Sequence, residues 1–211
     1  MKSFSLYEFS GILIPGAIVL FGISLIFPEL KQVLLSDVSF GDFGLFVLLS
    51  YAAGQLIQAV GNMLENVWWR FHGGMPTDWI RTGKGKLLAN NQITELERQI
   101  PQKLGIKFEN GIKNLDEREW YAIGRQLNSL IHSKGSSERI EIFNSYYGLN
   151  RGIFASFFLL SILTLIFSGY EKAILLLVLA MIALYRMNRF ASHYARELFI
   201  QFLAIEQKEP R

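Results

Sequence analysis

The sequence predicts an all-α, polytopic membrane protein with four transmembrane helices and a small helical cytoplasmic module. Three observations predict it. The apolar residues, 51% of the chain, are gathered into blocks rather than spread evenly. Three of those blocks hold no Asp, Glu, Lys or Arg: Phe9 to Pro28, Phe43 to Leu64 and Gly152 to Tyr170. The basic residues are as unevenly placed, with 19 of the 21 Lys and Arg falling on what the block pattern makes one side.

A helix rises 1.5 Å per residue, so about 20 residues cross a hydrocarbon core of about 30 Å. Backbone polar groups in lipid must bond within their own segment, which makes each block a helix. Residues 9–28 are the first span, 43–64 the second and 152–170 the third. The first block lacks a basic leading region and lies between Glu8 and Glu29, so it reads as a retained span rather than a signal peptide. The fourth span, 172–190, is built on a shorter uncharged run of 13 residues, Ala173 to Tyr185. Lys172 and Arg186 extend it by reaching opposite interfaces with their charges. Ser168-Gly169-Tyr170-Glu171 reads as the turn of a helical hairpin. A re-entrant helix is the alternative for this segment.

Orientation follows from the basic residues. The segment between spans two and three holds 13 of them, the chain from Arg186 onwards five, and Lys2 one more. The two short connections hold only Lys31 and Lys172. The positive-inside rule makes the rich side cytoplasmic and places both termini there. Trp68, Trp69, Tyr146 and Tyr147 fall at the inner ends of spans two and three, where an aromatic belt belongs.

Residues 65–151 form the cytoplasmic module. His72-Gly73-Gly74-Met75-Pro76 breaks the chain, and Thr77 or Asp78 caps a short helix carrying Trp79 and Ile80. Ile93, Leu96, Ile100 and Leu104 recur at helical spacing, with Pro101 kinking or ending that helix. Trp120, Ile123, Leu127, Leu130 and Ile131 make a second face, opened by Asp116 and closed near Gly135. Ser137-Glu138 starts a helix that runs through Ile140 and Phe143 into span three. The module is too thin to carry a large core alone. Residues 191–211 continue as a cytoplasmic C-terminal helix.

Three features bear on function. The second span carries Gln55, Gln58 and Asn62 at i, i+3 and i+7, beside Gly54 and Gly61. Amides in hydrocarbon are unfavourable unless they bond across helices or face water, so they either line a pore or join helices. Pro15-Gly16 bends the first span, as a hinge or as a static kink. Two basic groups are candidate phosphate contacts, because guanidinium and ammonium groups hold phosphate. One is Arg81, Lys84 and Lys86, in a glycine-bearing loop without Walker spacing. The other is Arg186, Arg189, His193 and Arg196, a helical stripe that equally suits lipid phosphates.

Other chemistry is thinly represented. With no cysteine there is no disulfide, thiolate nucleophile or zinc–thiolate site. The three histidines make no metal-ligand spacing, so no metal or cofactor is expected. Arg125 and His132 fit the loose R-x(4–6)-H pattern of HEPN-type ribonucleases, with Asp116 and Glu119 nearby. No hydrolase elbow, zincin or dinucleotide fingerprint is present, and the chain is not expected to be an enzyme.

Four segments carry a resemblance: Ser5-Leu6-Tyr7-Glu8-Phe9 leading to Pro15-Gly16, Pro76 to Arg81, Glu138 to Gly152, and Tyr185 to Phe199. Through them the chain resembles small multi-pass membrane effectors of bacterial anti-phage defence, most of all the membrane subunit of the Hailong system. The resemblance implies an oligomeric channel in the inner membrane, controlled by an oligonucleotide made by a partner nucleotidyltransferase. It transfers no residue-level site, so the candidate residues rest on their chemistry. The expected assembly is a homo-oligomer in the lipid bilayer, with four copies as the working number. A non-conducting scaffold for a cytoplasmic partner and a membrane-tethered ribonuclease are the alternatives.

Overall fold

The computed structural model describes residues 9–30, 40–84, 86–106, 111–135 and 137–205. Lys2, the Ser5 to Glu8 segment, Lys31, Gly85, Lys107 and the tail beyond Ile205 lie outside the described residues. Among the described residues every regular element is helical. A π-helical turn at Phe9–Leu13 leads into α1 (Ile14–Ile26). Then come α2 (Phe40–Phe71), α3 (Trp79–Thr82), α4 (Asn90–Leu104), α5 (Glu117–Ser133), α6 (Glu138–Phe167) and α7 (Tyr170–Ala204). Residues Phe43–Phe71 of α2, together with α6 and α7, are long and apolar enough to cross a membrane. Gly11–Ile26 is a shorter apolar helix.

The first helix ends earlier than residue 28 for a local reason. Pro28 crowds the residue before it out of the helical region, and Phe27 is extended at φ −116° and ψ 100°. The last helix runs further than its uncharged core. Arg186 and Arg189 do not interrupt it, because Arg has high helix propensity and a helix is indifferent to where lipid ends. Span four and the C-terminal helix of the sequence reading are therefore one element of 35 residues.

The chain divides into two compact units. One comprises the chain as far as Trp68 together with Ser145–Arg189. Its interior mixes small and polar side chains with a few large apolar ones such as Phe154, Leu160 and Met187. Val19, Ile57 and Ala155 form one buried apolar cluster in it, while Leu48 and Leu56 are 69% and 72% exposed. Outward-facing leucines suit a bundle whose solvent is hydrocarbon. Helices α1 and α2 cross where both carry glycine. A Cβ on Gly16 would meet the Ser50 carbonyl oxygen and lie 2.6 Å from the Gly54 nitrogen, and one on Gly54 would meet the Ile12 carbonyl oxygen. Only glycine permits that approach of backbone to backbone.

The second unit is Trp69–Asn144 with the chain from Phe190 onwards. It is built the opposite way, around large apolar side chains. Leu96 and Ile100 of α4, Ile112, Trp120, Leu127 and Ile131 of α5 and its approach, and Ile140 of α6 are all buried in one cluster. The end of α7 completes it with Leu198, Phe199 and Phe202. The core thus draws on residues 50 and more positions further along the chain. Trp120 stacks on Phe199 with ring centroids 5.8 Å apart, and its indole N–H donates to the Thr77 carbonyl at 2.9 Å.

Local signals act here as the sequence predicts. Asp116 caps α5 through the Glu119 N–H at 2.7 Å, and the Glu119 carboxylate accepts from the Asp116 N–H at 3.0 Å. This reciprocal pair satisfies two of the otherwise orphaned donors of a helix start. Pro101 sits in the last turn of α4, which stops at Leu104. Asp78 occupies the cap position of α3 but makes no side-chain cap bond. Its carboxylate instead accepts from the Met75 N–H at 3.1 Å.

Candidate functional site

A dense polar cluster of the first unit lies around Pro15, in the first turn of α1. Pro15 has no N–H, so the carbonyl four residues earlier, that of Gly11, loses the donor a regular helix supplies. Gln58 of α2 supplies one: its Nε2 donates to Gly11 O, and more weakly to Gly148 O at 3.3 Å. From the other side, Ser156 Oγ donates to the Pro15 carbonyl at 2.9 Å. Gly152 makes room for the ring, since a Cβ there would lie 2.6 Å from Pro15 Cγ. The start of α1 around Pro15 is thus held by one residue of α2 and two of α6.

The same amide carries the network on to a pair of charges. Gln58 Oε1 accepts from Arg151 Nη2 at 2.8 Å and from Nε at 3.3 Å. Arg151 Nη1 pairs with Glu65 Oε2 at 2.6 Å, and the two side chains are 14% and 10% exposed. The guanidinium carbon also lies 5.8 Å from the Tyr147 ring centroid. Arginine suits this place because its rigid fork serves two acceptors at once. A buried ion pair gives little net stability against a well-packed apolar replacement, but losing one partner strands a charge. Ionisable groups inside membrane bundles mark functional or organising positions.

The structure separates the three amides of the second span. Gln58 is 7% exposed and fully engaged, whereas Gln55 and Asn62 are exposed on α2. Gln58 thus joins helices, one of the two roles open to it: the Gly11 carbonyl and the Arg151 guanidinium draw it inward. Gln55 and Asn62 belong to a longer outward stripe. Ala52, Gln55, Ala59, Asn62 and Asn66 are all exposed, and they recur at i, i+3, i+7, i+10 and i+14. That spacing keeps small and polar groups on one face of a helix otherwise clad in leucine and methionine.

The basic candidates are distributed differently from the sequence expectation. In the first unit, Arg186 Nε donates to Asn150 Oδ1 at 3.1 Å, and Arg189 is exposed. In the second, His193 packs on Phe143 and Phe190, with ring centroids 5.4 and 6.3 Å away. Arg196 Nε donates to the Leu87 carbonyl at 3.2 Å. Arg81 is half-buried, donating from Nη1 to Leu115 O at 3.3 Å, while Lys84 and Lys86 are exposed. The Lys84 side chain lies over Gly73, where an added Cβ would strike it. Arg125 and His132 are exposed on α5, and His132 Nδ1 faces Glu141 at 3.4 Å.

Two shifted groups of the second unit arise from structure rather than from these clusters. Glu95 is held down to about 2 by hydrogen bonds from Arg98 and Gln99. Burial lowers the Lys103 ammonium, whose Nζ lies 4.8 Å over the Phe202 ring and donates to the Phe202 carbonyl at 3.1 Å. Among the described residues no group of three His, Cys, Asp or Glu side chains could hold a metal ion.

Sequence reasoning singled out neither Glu65 nor Arg151. A signal existed: Glu65 stands seven residues after Gln58, on the same face of α2, and Arg151 directly precedes the uncharged block at Gly152. Fold and site together define a helical membrane protein whose spanning bundle encloses an ion pair. No family model matches the chain, and neither a curated protein nor a solved structure matches it.

Proposed function

We propose that the chain is the subunit of a homo-oligomeric membrane channel, acting as a toxic effector in anti-phage defence under the control of a nucleotide or oligonucleotide signal. The observation that carries the channel half is the outward stripe of Ala52, Gln55, Ala59, Asn62 and Asn66 on α2. Amides facing hydrocarbon are costly, and a ring of copies would turn them toward one another or toward water. Small residues between them let the helices approach. Four spans, with both termini and the second unit on the cytoplasmic side, complete the topology, and four copies are the working number. The signal and the defence role rest on the resemblance to Hailong membrane subunits. The exposed Lys84, Lys86 and Arg189 are its candidate phosphate contacts, with Arg81, Arg186, His193 and Arg196 as held neighbours.

Ion flux through the purified chain in liposomes tests this reading. Gln55→Leu with Asn62→Leu should leave insertion intact, because Leu favours both helix and membrane. The path becomes an apolar constriction, which closes by dewetting. Flux should fall by at least about tenfold while oligomers persist. Loss of the oligomer itself would make the two amides interhelical glue and favour the non-conducting scaffold. Toxicity abolished only by Arg125→Ala with His132→Ala would favour the ribonuclease instead.

A further inference from the structure

Within the first unit, α1, α6 and α7 enclose a groove of about 400 Å³. Gly22 and Leu25 of α1, Leu160, Thr164 and Ser168 at the α6 end, and Lys172 of α7 are among the residues lining it. Leu160 and Thr164 are 2% and 3% exposed and belong to its interior, while Leu25, Ser168 and Lys172 are exposed at its rim. The groove exists because two of its walls are cut short. Helix α1 ends at Ile26, and α6 ends at Phe167, where Ser168 and Gly169 close onto the Thr164 carbonyl at 2.8 and 2.9 Å.

Between Leu25, Ile26, Leu160, Leu175 and Leu176 the recess offers water too few of the two to four polar partners it needs. Two of the helices around it are long and apolar enough to cross a membrane, so the medium at its side is hydrocarbon, where lipid chains are the available filler. Among the described residues its rim carries one cation, Lys172, in the first turn of α7. An ammonium at a helix start favours an anionic oxygen group, because the helix dipole adds to the charge. Glu171 stands beside it, exposed, and offsets any preference for a second negative charge.

We infer that this groove is a binding site for one phospholipid, with an acyl chain along Leu25 and Leu160 and the phosphate on Lys172. The recognised group is the phosphate, so phosphatidylglycerol and phosphatidylethanolamine bind alike. Diacylglycerol, which has the chains and lacks the phosphate, binds more weakly. Glycerol phosphate, which lacks the chains, does not compete. The site is independent of whether the protein conducts ions.

The test uses the full chain in detergent micelles, titrated with phosphatidylglycerol carrying brominated acyl chains. A reporter indole is placed by Leu176→Trp on the groove wall. Quenching should saturate at one lipid per chain. Lys172→Gln should shift the midpoint about fivefold, the factor that corresponds to one lysine–lipid contact. Lys84→Gln should leave it unchanged. Native mass spectrometry of the chain without the reporter should retain one phosphatidylglycerol, and Lys172→Gln should retain less. Quenching that never saturates, or a Lys172→Gln chain that holds lipid like the parent, would overturn the site.

Discussion

The two units solve the same problem with opposite materials. In the second unit the large apolar residues are inside: Leu96, Ile100, Leu127, Ile131 and Phe202 are fully buried. In the first, Leu48, Leu56 and Leu175 face outward, and the interior sets Phe154, Leu160 and Met187 beside Gln58, Glu65, Asn150, Ser156 and close-packed glycines. Water expels apolar surface, so burial organises the second unit. Lipid does not, so the first relies on close packing and on hydrogen bonds between helices. A buried polar group therefore has two meanings in one chain. In the first unit it is what holds helices together, while in the second it is an exception to be accounted for.

The largest expected effects come from exchanging the two logics. Leu127→Ala in the second unit should cost about 2–5 kcal/mol, by lost transfer energy plus a cavity. Leu56→Ala in the first unit should cost much less, since that side chain is 72% exposed and leaves no cavity. Thermal unfolding in detergent, followed by near-ultraviolet signals of the tryptophans, measures both. Equal losses would mean that Leu56 is covered by another copy, which sharpens the channel reading rather than the comparison.

Next come the charges. Glu65→Leu or Arg151→Met alone leaves one ion stranded in the bundle and should cost about 3–5 kcal/mol. The two together should recover most of that loss, because a well-packed apolar pair replaces an ion pair at little net cost. A double variant as unstable as the worse single one would show that Arg151 acts mainly through Gln58. The same pair of substitutions in the second unit has no counterpart: Arg139 and Glu197 approach to 3.5 Å, but the Arg139 side chain is 68% exposed. Such pairs contribute about 0–1 kcal/mol.

Legibility in the sequence divides along the same line. Signals that act over a few residues were readable: the uncharged blocks behind α2 and α6, the Asp116 cap, the break at Gly73 and Gly74, and the stop after Pro101. Signals that join distant segments were not. Gln58 meets Gly11 across 47 positions and Arg151 across 93, and no periodicity within one span tells an inward amide from an outward one. The orphaned carbonyl before Pro15 was the missing clue, because an unmet acceptor in hydrocarbon needs a donor from another helix. The full extent of the second core is hidden for a related reason. Phe199 and Phe202 lie beyond a transmembrane block, and distance along the chain hid their place beside Trp120.

The smallest expected effect concerns a half-buried carboxylate in the unit whose interior is apolar. Burial raises the Asp78 carboxyl above its ordinary 3.8, helped by the nearby charge of Glu117 and opposed by the Met75 N–H and Arg81. An acid with a raised folded-state pKa binds more protons folded than unfolded just above the unfolded value. Stability therefore falls as pH rises through that window and stays lower above the folded pKa. Asp78→Asn removes the charge and keeps an oxygen to accept from the Met75 N–H. The variant should be slightly more stable than the parent at neutral pH, and its advantage should vanish on acidification below 3.8. Thermal unfolding across that pH range reads the difference directly. A variant less stable at neutral pH would mean that attraction to Arg81, whose Nε is buried without a hydrogen-bond partner among the described residues, outweighs the cost of burying the carboxylate.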